Sequence, residues 1–169
     1  EEEIRKVFPQ LPDNIFIIPP QSTINTYKAM MACDSVLIYA TTAGLELACM
    51  GIPSIISGEA WMRGKNIGID VTSQEHYFSE LDKLPMGSRM NEQAVSNAKK
   101  YAYHFYLRKM IDIGMLEPMP YDNCPYRIPE LGLEPFKKGR DLGLDIICDG
   151  ILNDKEFIFP AELKNTVTL

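Results

Sequence analysis

The chain has 169 residues, 46% of them hydrophobic, and its formal net charge is −6. This length allows one domain with a real apolar core, and the acidic balance argues against a broad nucleic-acid-binding face. The apolar runs, such as residues 35–40 and 52–56, are far shorter than the roughly 20 residues that a membrane-spanning helix needs. Composition therefore predicts a globular domain without a nucleic-acid partner.

The predicted elements of the first half alternate between short apolar runs and helical patterns. In chain order they are a strand at 14–18, a helix from Ser22 or Thr23 through residue 34, a strand at 35–40, a helix at 45–50 that ends at Gly51, and a strand at 52–56. The inner face of the first helix is predicted to carry Ile24, Tyr27, Met30 and Met31. Strands separated by short helices favour a parallel sheet. The sequence therefore predicts an α/β fold, a Rossmann-like parallel sheet flanked by helices.

In a parallel sheet of this kind, every loop that follows a strand emerges at the same, carboxyl edge. Open α/β sheets bind their ligands at that edge. The loops at 19–22, 41–44 and 57–65 are expected to converge there. This arrangement predicts a ligand site at the carboxyl edge, to which Ser22 of the first loop contributes.

The second half is expected to be helical at first and irregular later. A capping box at 72–75 predicts the start of a helix whose apolar face carries Tyr77, Phe78, Leu81 and Leu84. A longer helix is predicted from Asn91 to about residue 113. An irregular Pro- and Gly-rich segment at 118–139 and a last helix at 142–152 follow it. We accordingly divide the chain into a Rossmann-like domain at 1–117 and a segment at 118–169 that packs back on it.

The four cysteines, Cys33, Cys49, Cys124 and Cys148, form no CxxC pair. Metal sites and disulfide frameworks usually have regular cysteine spacings, which are missing here. We expect four free thiols in a reducing, cytoplasmic compartment and no metal site. Cys33 and Cys49 lie among Ala and Met residues and are expected to be small core residues.

Glu46 is the most informative single position, because its neighbours from 43 to 50 are otherwise small or apolar. A carboxylate in such a helix needs a partner, since an unpaired buried charge costs on the order of several kcal/mol. It either complements the positive end of its own short helix, or it accepts hydrogen bonds from a ligand's hydroxyls, as acidic residues do with ribose in nucleotide-binding folds. The residues alone leave both interpretations open.

The turn formed by Thr41, Thr42, Ala43 and Gly44 lies between a predicted strand and a helix N-terminus. Free backbone N–H groups and the helix dipole favour a phosphate at such a place, and a Gly lets a ligand approach the backbone. An ordinary capped turn between a strand and a helix would have the same sequence. The turn is therefore a candidate phosphate site with a simple structural alternative.

The loop of Arg63, Gly64 and Lys65 follows the third predicted strand at the same edge. Two cations beside a Gly suit a phosphate or a substrate carboxylate, although most Arg and Lys residues lie in solvated surface loops. His76 and His104 are expected to be surface or packing histidines, because no Ser-His-Asp order and no metal-ligand spacing accompanies them.

Residues 32–53 read ACDSVLIYATTAGLELACMGIP. This stretch resembles the donor-site segment of GT-B glycosyltransferases. It contains, in order, an Ala and an Asp, a strand, a Thr-rich turn with a Gly, a helix with a Glu, and Gly-x-Pro. The continuation GEAWMRGK at 58–65 and the run LDIICDGIL at 144–152 resemble the capsule polysaccharide biosynthesis and export family, which includes the Kdo transferases of capsule assembly. The resemblance covers most of residues 14–152.

The resemblance implies the C-terminal, nucleotide-sugar-binding half of a bacterial GT-B enzyme. It implies that the turn from Thr41 to Gly44 holds the donor's phosphate, that Glu46 contacts its ribose, and that the loop from Arg63 to Lys65 borders the donor sugar. The donor is then a nucleotide-sugar substrate, without a cofactor or a catalytic metal. The catalytic residues are unknown from this chain.

The partners implied are a glycan acceptor and an N-terminal half of the same protein. That half carries the family's His-Pro segment, and the chain, which begins at Glu1 rather than Met, is expected to be an excised and inactive piece. The whole protein is expected in the cytoplasm, at the inner face of the cell membrane. The alternatives are a GT-B-fold nucleotide-sugar epimerase and a non-catalytic binding domain of polysaccharide export machinery.

Overall fold

The computed structural model describes residues 2–119, 126–129 and 132–166, with side chains up to residue 163. In chain order the elements are α1 (Glu2–Val7), α2 (Thr26–Ala32), β1 (Val36–Ile38), α3 (Ala43–Cys49), β2 (Ser54–Ile56), β3 (Ile69–Asp70), α4 (Gln74–Leu81), α5 (Glu92–Tyr103), a π-helical segment (His104–Lys109), β4 (Glu117–Pro118), β5 (Tyr126–Arg127), a 3₁₀ turn (Glu134–Phe136), α6 (Leu142–Asn153) and a second 3₁₀ segment (Ala161–Thr166).

The central sheet contains β1, β2 and β3 in that order, and all of its pairings are parallel. Val36 lies opposite Ser54, and Ile56 lies opposite Asp70. Helix α3 connects β1 to β2 and packs against both β2 and α5. The predicted α/β fold with a parallel sheet flanked by helices is therefore confirmed for the described residues. Strands β4 and β5 form a separate antiparallel pair.

The hydrophobic core lies between the sheet, α3 and α5. Its buried members are Ile38, Leu45, Leu47, Ala48, Ile52, Ile56, Met62, Ile67 and Ala98. Helix α3 is so short that its stability must come from this burial rather than from helix propensity. Gly51 has a φ of 74° and ends α3 in the left-handed conformation, as the sequence predicts.

The predicted strand at 14–18 is wrong. Those residues form no strand, and the Phe16 side chain is 84% exposed. Over the described ranges of the chain, β1 pairs with β2 alone, so the apolar run at 14–18 adds no strand beside it. The Ile15 N–H donates instead to the Pro12 carbonyl in a local turn. Consequently the loop at 19–22 does not follow a strand, and the basis for placing it at the carboxyl edge is lost.

Helix α2 begins later than predicted, at Thr26. The Asn25 side chain caps it by accepting from the Lys28 N–H, whereas the Ser22 hydroxyl accepts from the Ile24 N–H just upstream of the helix. The predicted inner face of this helix is mostly wrong, because Ile24, Tyr27 and Met31 are each more than half exposed. Of its four predicted residues, Met30 packs against the core.

Two boundaries of the second half differ from the prediction. Ser73 rather than Thr72 caps α4, because the Ser73 hydroxyl accepts from the His76 N–H. Phe78 is half exposed and Glu80 is the buried residue of that helix. The helix that begins after Asn91 ends at Tyr103 and continues only as the π-helical segment to residue 109.

The C-terminal helix α6 is confirmed. Its cap, Asp141, accepts from the Leu144 N–H with one carboxylate oxygen and from the Met115 N–H with the other. The Phe159 N–H donates to the Arg108 carbonyl at 2.7 Å. The described C-terminal residues are thus joined to the segment that follows α5.

Cys33, Cys49 and Cys148 are free thiols, and Cys124 lies outside the described residues. Cys33 is exposed, so its prediction as a core residue is wrong, whereas Cys49 is partly buried and packs against the core. Among the described residues, no helix combines the length and the apolar character that crossing a membrane requires.

Candidate functional site

A cavity of about 620 Å³ opens at the carboxyl edge of the central sheet. Residues that follow each of the three strands line it: Tyr39 after β1, residues 57–59 and Arg63 after β2, and residues 71–74 after β3, with Tyr77 from α4. We call it the edge cavity. Of the loops predicted to converge, the one at 57–65 contributes to this cavity through residues 57–59 and Arg63, and the segment after β3 joins it. The loop at 41–44 does not line the cavity, because only Tyr39 reaches it after β1.

Arg63 lines the edge cavity, but its guanidinium is occupied by the protein backbone. One nitrogen donates to the Ile56 and Gly58 carbonyls, at 3.2 and 3.0 Å, and another donates to the Val71 carbonyl. These acceptors lie at the end of β2, in the following loop and just after β3. Arg63 therefore fastens the ends of two strands together, and it shapes the cavity wall whether or not it also meets a ligand.

Gly64 and Lys65 do not line the edge cavity. Gly64 has a φ of 71°, and its N–H donates to the Asp70 carboxylate at 2.6 Å. The Lys65 ammonium lies 3.4 Å from the Arg63 carbonyl and 5.7 Å from the centre of the Tyr101 ring. The structure thus separates the three predicted loop residues, because only Arg63 faces the cavity.

The turn at 41–44 uses its own backbone donors internally. The Ala43 N–H donates to the Thr41 hydroxyl, and the Gly44 and Leu45 N–H groups donate to the Thr41 and Thr42 carbonyls. Thr41 and Thr42 are exposed, so their side chains remain accessible to a ligand. The assignment of a phosphate to this turn stays a prediction, and the structure supplies fewer free N–H groups for it than the sequence suggests.

Gly44 is buried, and core packing accounts for its identity. A Cβ atom at this position would lie 2.5 Å from Ile38 Cδ1 and 2.5 Å from Met62 Sδ. The missing side chain therefore leaves room for two core residues, a role that the sequence interpretation, centred on a ligand, overlooked.

Glu46 lies at a second cavity of about 270 Å³ between α2, α3 and α5, whose lining is mostly apolar. Tyr27 and Tyr106 also line this cavity. Hydrogen bonding to the nearby Glu46 carboxylate, together with its negative charge, raises the pKa of Tyr27 above its usual value. Glu46 is only partly buried and has found a partner in its own chain. It lines a different cavity from Arg63, and Ser22 lines neither of the two.

The Glu46→Gln variant should lower the pKa of Tyr27 toward that of a free tyrosine, because a phenolate no longer forms beside a carboxylate. Since the raised pKa belongs to the folded state, the contact stabilises the fold fully at pH values below the ordinary pKa of a tyrosine. This stabilisation is lost as the pH rises from there through the raised pKa of the folded state. Titration of the Tyr27 ring carbon by NMR measures the shift. An unchanged titration curve in Glu46→Gln would contradict the contact, and Tyr126, which lines neither cavity, serves as the internal control.

Sequence interpretation missed one set of polar residues beside the edge cavity, those at Thr72, His76 and Glu80. The Thr72 hydroxyl lies 3.3 Å from His76 Nδ1, and His76 Nε2 lies 3.3 Å from the Glu80 carboxylate. The Lys83 ammonium contacts the same carboxylate oxygen at 2.5 Å and, more than any other group, lowers the pKa of Glu80. The signal in the sequence was the i, i+4, i+8 spacing, which places His76 and Glu80 one turn apart on α4 and Thr72 just before the helix cap.

The remaining cavity residues carry few charges. In the part of the chain that the structure describes, no group of three or more His, Cys, Asp and Glu side chains could hold a metal ion. Glu59 and Arg63 are the charged residues in the lining of the edge cavity, which otherwise presents hydroxyls, backbone groups and two tyrosine rings. No protein-family model, no curated protein and no solved structure matches this chain.

Proposed function

We propose that this chain is the donor-binding domain of a GT-B glycosyltransferase that builds a bacterial surface polysaccharide from a nucleotide sugar. In this proposal it is the C-terminal half of the enzyme and works in the cytoplasm with an acceptor-binding N-terminal half. The sugar is transferred to a growing glycan, which is the acceptor, and the nucleotide part of the donor is released. The resemblance of residues 32–65 to a donor-site segment supports the choice of reaction.

The observation that carries the proposal is the position of the edge cavity. It lies at the carboxyl ends of three parallel strands, where open α/β sheets bind nucleotides. Its volume of about 620 Å³ falls within the range of roughly 300–1,000 Å³ that is usual for small-molecule sites. A nucleotide sugar is an elongated ligand, so a cavity assembled from three successive loops suits it better than a pocket behind a single turn.

The lining of the edge cavity offers contacts of the kinds that a nucleotide sugar needs. Tyr39 is 75% exposed and presents a ring that a base or a sugar can stack on. Ser57 and Thr72 present hydroxyl oxygens, and Glu59 presents a carboxylate that can accept from sugar hydroxyls. Arg63 holds these segments in register and adds a positive charge to the wall.

We expect CMP, UDP or GDP to bind this chain weakly, with a Kd of about 1 mM or somewhat below, since the second half of the proposed cleft is not part of it. Calorimetry gives the affinity, and amide chemical shifts locate the ligand. The largest shifts are expected at Tyr39, Gly58 and Thr72. Tyr39→Leu should weaken binding about fivefold to tenfold, because it removes the stacking ring. Phe136→Leu is the control, since Phe136 is exposed outside the cavity lining.

Two further results separate this proposal from its alternatives. If no nucleotide binds at millimolar concentration, a non-catalytic binding domain is the better interpretation. If a bound nucleotide sugar is converted to its epimer, the chain is an epimerase. Glu46→Gln provides a third comparison, because a loss of nucleotide affinity of about 1.5–3 kcal/mol would place the ribose at Glu46 rather than in the edge cavity.

A further inference from the structure

Three side chains of the α4 region contact one another in a chain that starts at the edge cavity. Thr72 lines the cavity and contacts His76 Nδ1 at 3.3 Å. His76 Nε2 in turn contacts the Glu80 carboxylate at 3.3 Å. The exposed fraction falls along the chain, because the Glu80 side chain is only 10% exposed while that of His76 is 36% exposed. The order is a hydroxyl at the cavity, an imidazole behind it and a buried carboxylate at the end.

The backbone settles which nitrogen of His76 carries the proton in the neutral form. The Thr72 N–H donates to His76 Nδ1 at 3.4 Å, and a backbone N–H can only donate. Nδ1 must therefore be the unprotonated acceptor, and Nε2 carries the proton that faces Glu80. The Thr72 hydroxyl therefore contacts Nδ1 as a second donor, which shares the single lone pair of this nitrogen with the backbone N–H, and the lone pairs of the hydroxyl oxygen are left for a ligand in the cavity.

The carboxylate at the end of this chain stays ionised. The Lys83 ammonium hydrogen-bonds to it and keeps the pKa of Glu80 low, and His76 acts in the same direction. A carboxylate beside Nε2–H fixes the orientation of the imidazole, as a carboxylate does for the histidine base of known hydrolases. Each of the three groups is thus oriented to move a proton in the same direction, away from the cavity.

We propose that Thr72, His76 and Glu80 form a proton-accepting relay for a ligand hydroxyl in the edge cavity. This inference rests on the proposed function, and the hydroxyl is that of the sugar acceptor, or of water in its absence. The hydroxyl donates to the Thr72 oxygen. As its own oxygen bonds to the anomeric carbon of the donor sugar, its proton passes to Thr72, and the Thr72 proton passes to His76 Nδ1. The bond from the anomeric carbon to the phosphate oxygen breaks, and its electron pair leaves with the nucleotide.

Thr72 is in this scheme the group that touches the substrate, while His76 and Glu80 act through it. The contacts of 3.3 and 3.4 Å are long for hydrogen bonds, as is common before a substrate is bound, because catalytic hydrogen bonds tighten in the complex. The proton gained by His76 returns to solvent, since its side chain is 36% exposed. A general base of this kind typically accelerates a reaction by about 10²–10⁴-fold.

The first test is the protonation state of His76, measured by nitrogen NMR of the unliganded chain at a pH where the imidazole is neutral. The relay requires the proton on Nε2 and a bare Nδ1. A proton on Nδ1 would overturn the relay and would leave the proposed function untouched.

The second test is the hydrolysis of UDP-glucose, GDP-mannose and CMP-sialic acid by the chain, with water as the hydroxyl. Slow release of nucleotide is expected. His76→Asn is the decisive variant, because an Asn oxygen can replace Nδ1 as a hydrogen-bond acceptor but cannot take up the proton. His76→Asn should slow the release at least tenfold while nucleotide affinity changes less than twofold, since His76 does not line the cavity. Thr72→Val should also slow the release at least tenfold. Thr72→Ser should keep most of the hydrolysis that Thr72→Val loses, and His104→Asn is the control.

The outcomes distinguish the relay from the proposed function. If none of the three nucleotide sugars binds, the proposed function fails and the relay with it. If one binds and His76→Asn hydrolyses it at the wild-type rate, the relay alone is overturned. If one binds and this half of the enzyme does not hydrolyse it, the position of the His76 proton decides for or against the relay.

Discussion

Replacing Arg63 with methionine is expected to lower the free energy of unfolding by about 2–4 kcal/mol, because charge-assisted hydrogen bonds are worth about 1.5–3 kcal/mol each. Its guanidinium donates to the Ile56, Gly58 and Val71 carbonyls. In the variant the Ile56 carbonyl still accepts a hydrogen bond from the Val71 N–H. The Gly58 and Val71 carbonyls are therefore the acceptors that the loss of the guanidinium affects most. Methionine preserves much of the side-chain packing and removes the donors. Urea unfolding measures the difference.

Lys65→Met is the matched control for this prediction, since it removes a cation from the same loop. Its ammonium has only a long contact with the Arg63 carbonyl and a distant aromatic ring, so we expect a loss below about 0.5–1 kcal/mol. Equal stability of the two variants would contradict the bridging role of Arg63. Should Arg63→Met remain stable yet lose nucleotide affinity, Arg63 would be a ligand contact, as its sequence position suggests.

The Gly143→Ala variant is expected to be less stable by about 2–3 kcal/mol, the cost of overpacking at a site that cannot relax. A Cβ at Gly143 would overlap the Asp112 carbonyl, whose carbon would be 2.9 Å away. A backbone carbonyl cannot turn aside as a side chain can, so α6 must shift away from residues 111 and 112. This shift also strains the hydrogen bond from the Met115 N–H to Asp141. The higher helix propensity of alanine, about 1 kcal/mol, offsets only part of the loss.

Gly87→Ala is the control for Gly143→Ala. A Cβ at Gly87 would meet nothing within 4 Å, and its backbone φ is not positive. Its stability should stay the same or rise slightly, because alanine restricts the unfolded chain. Thermal unfolding of the two variants side by side gives the comparison. A Gly143→Ala protein as stable as the Gly87→Ala protein would show that α6 does not depend on close contact with the preceding segment.

Elements defined by local patterns could be predicted from the sequence, and the structure contains them. The strands at 36–38 and 54–56, helix α3 with its terminal Gly51, and helix α6 all follow from short apolar runs and from residues that end helices. These signals are local, because burial of a short run and the conformational freedom of a glycine depend on few neighbours. Their alternation also predicts the parallel sheet, since a short helix between two strands allows few other topologies.

The candidate site shows where this kind of reasoning ends. The sequence placed Arg63 and Glu46 in one ligand site, whereas the structure gives them different cavities and different partners. Arg63 was interpreted by its charge, yet its donors are used by backbone carbonyls that are close only after β2 and β3 have paired. His76 was assigned to the surface or to packing because no Ser-His-Asp order and no metal-ligand spacing accompanies it, and the structure then places a hydroxyl and a buried carboxylate on either side of its ring.

By itself, then, the sequence determined the α/β class, the parallel order of the strands and the edge of the sheet at which loops gather. These properties depend on hydrophobic periodicity and on helix ends, which are encoded over a few residues. Only the tertiary structure decided that 14–18 forms no strand, that Gly44 makes room for Ile38 and Met62, and that Tyr27 is the partner of Glu46. Each of these depends on contacts between residues distant in the chain or on the absence of a pairing neighbour, and hydrogen bonds and packing of that kind exist only once the chain has folded.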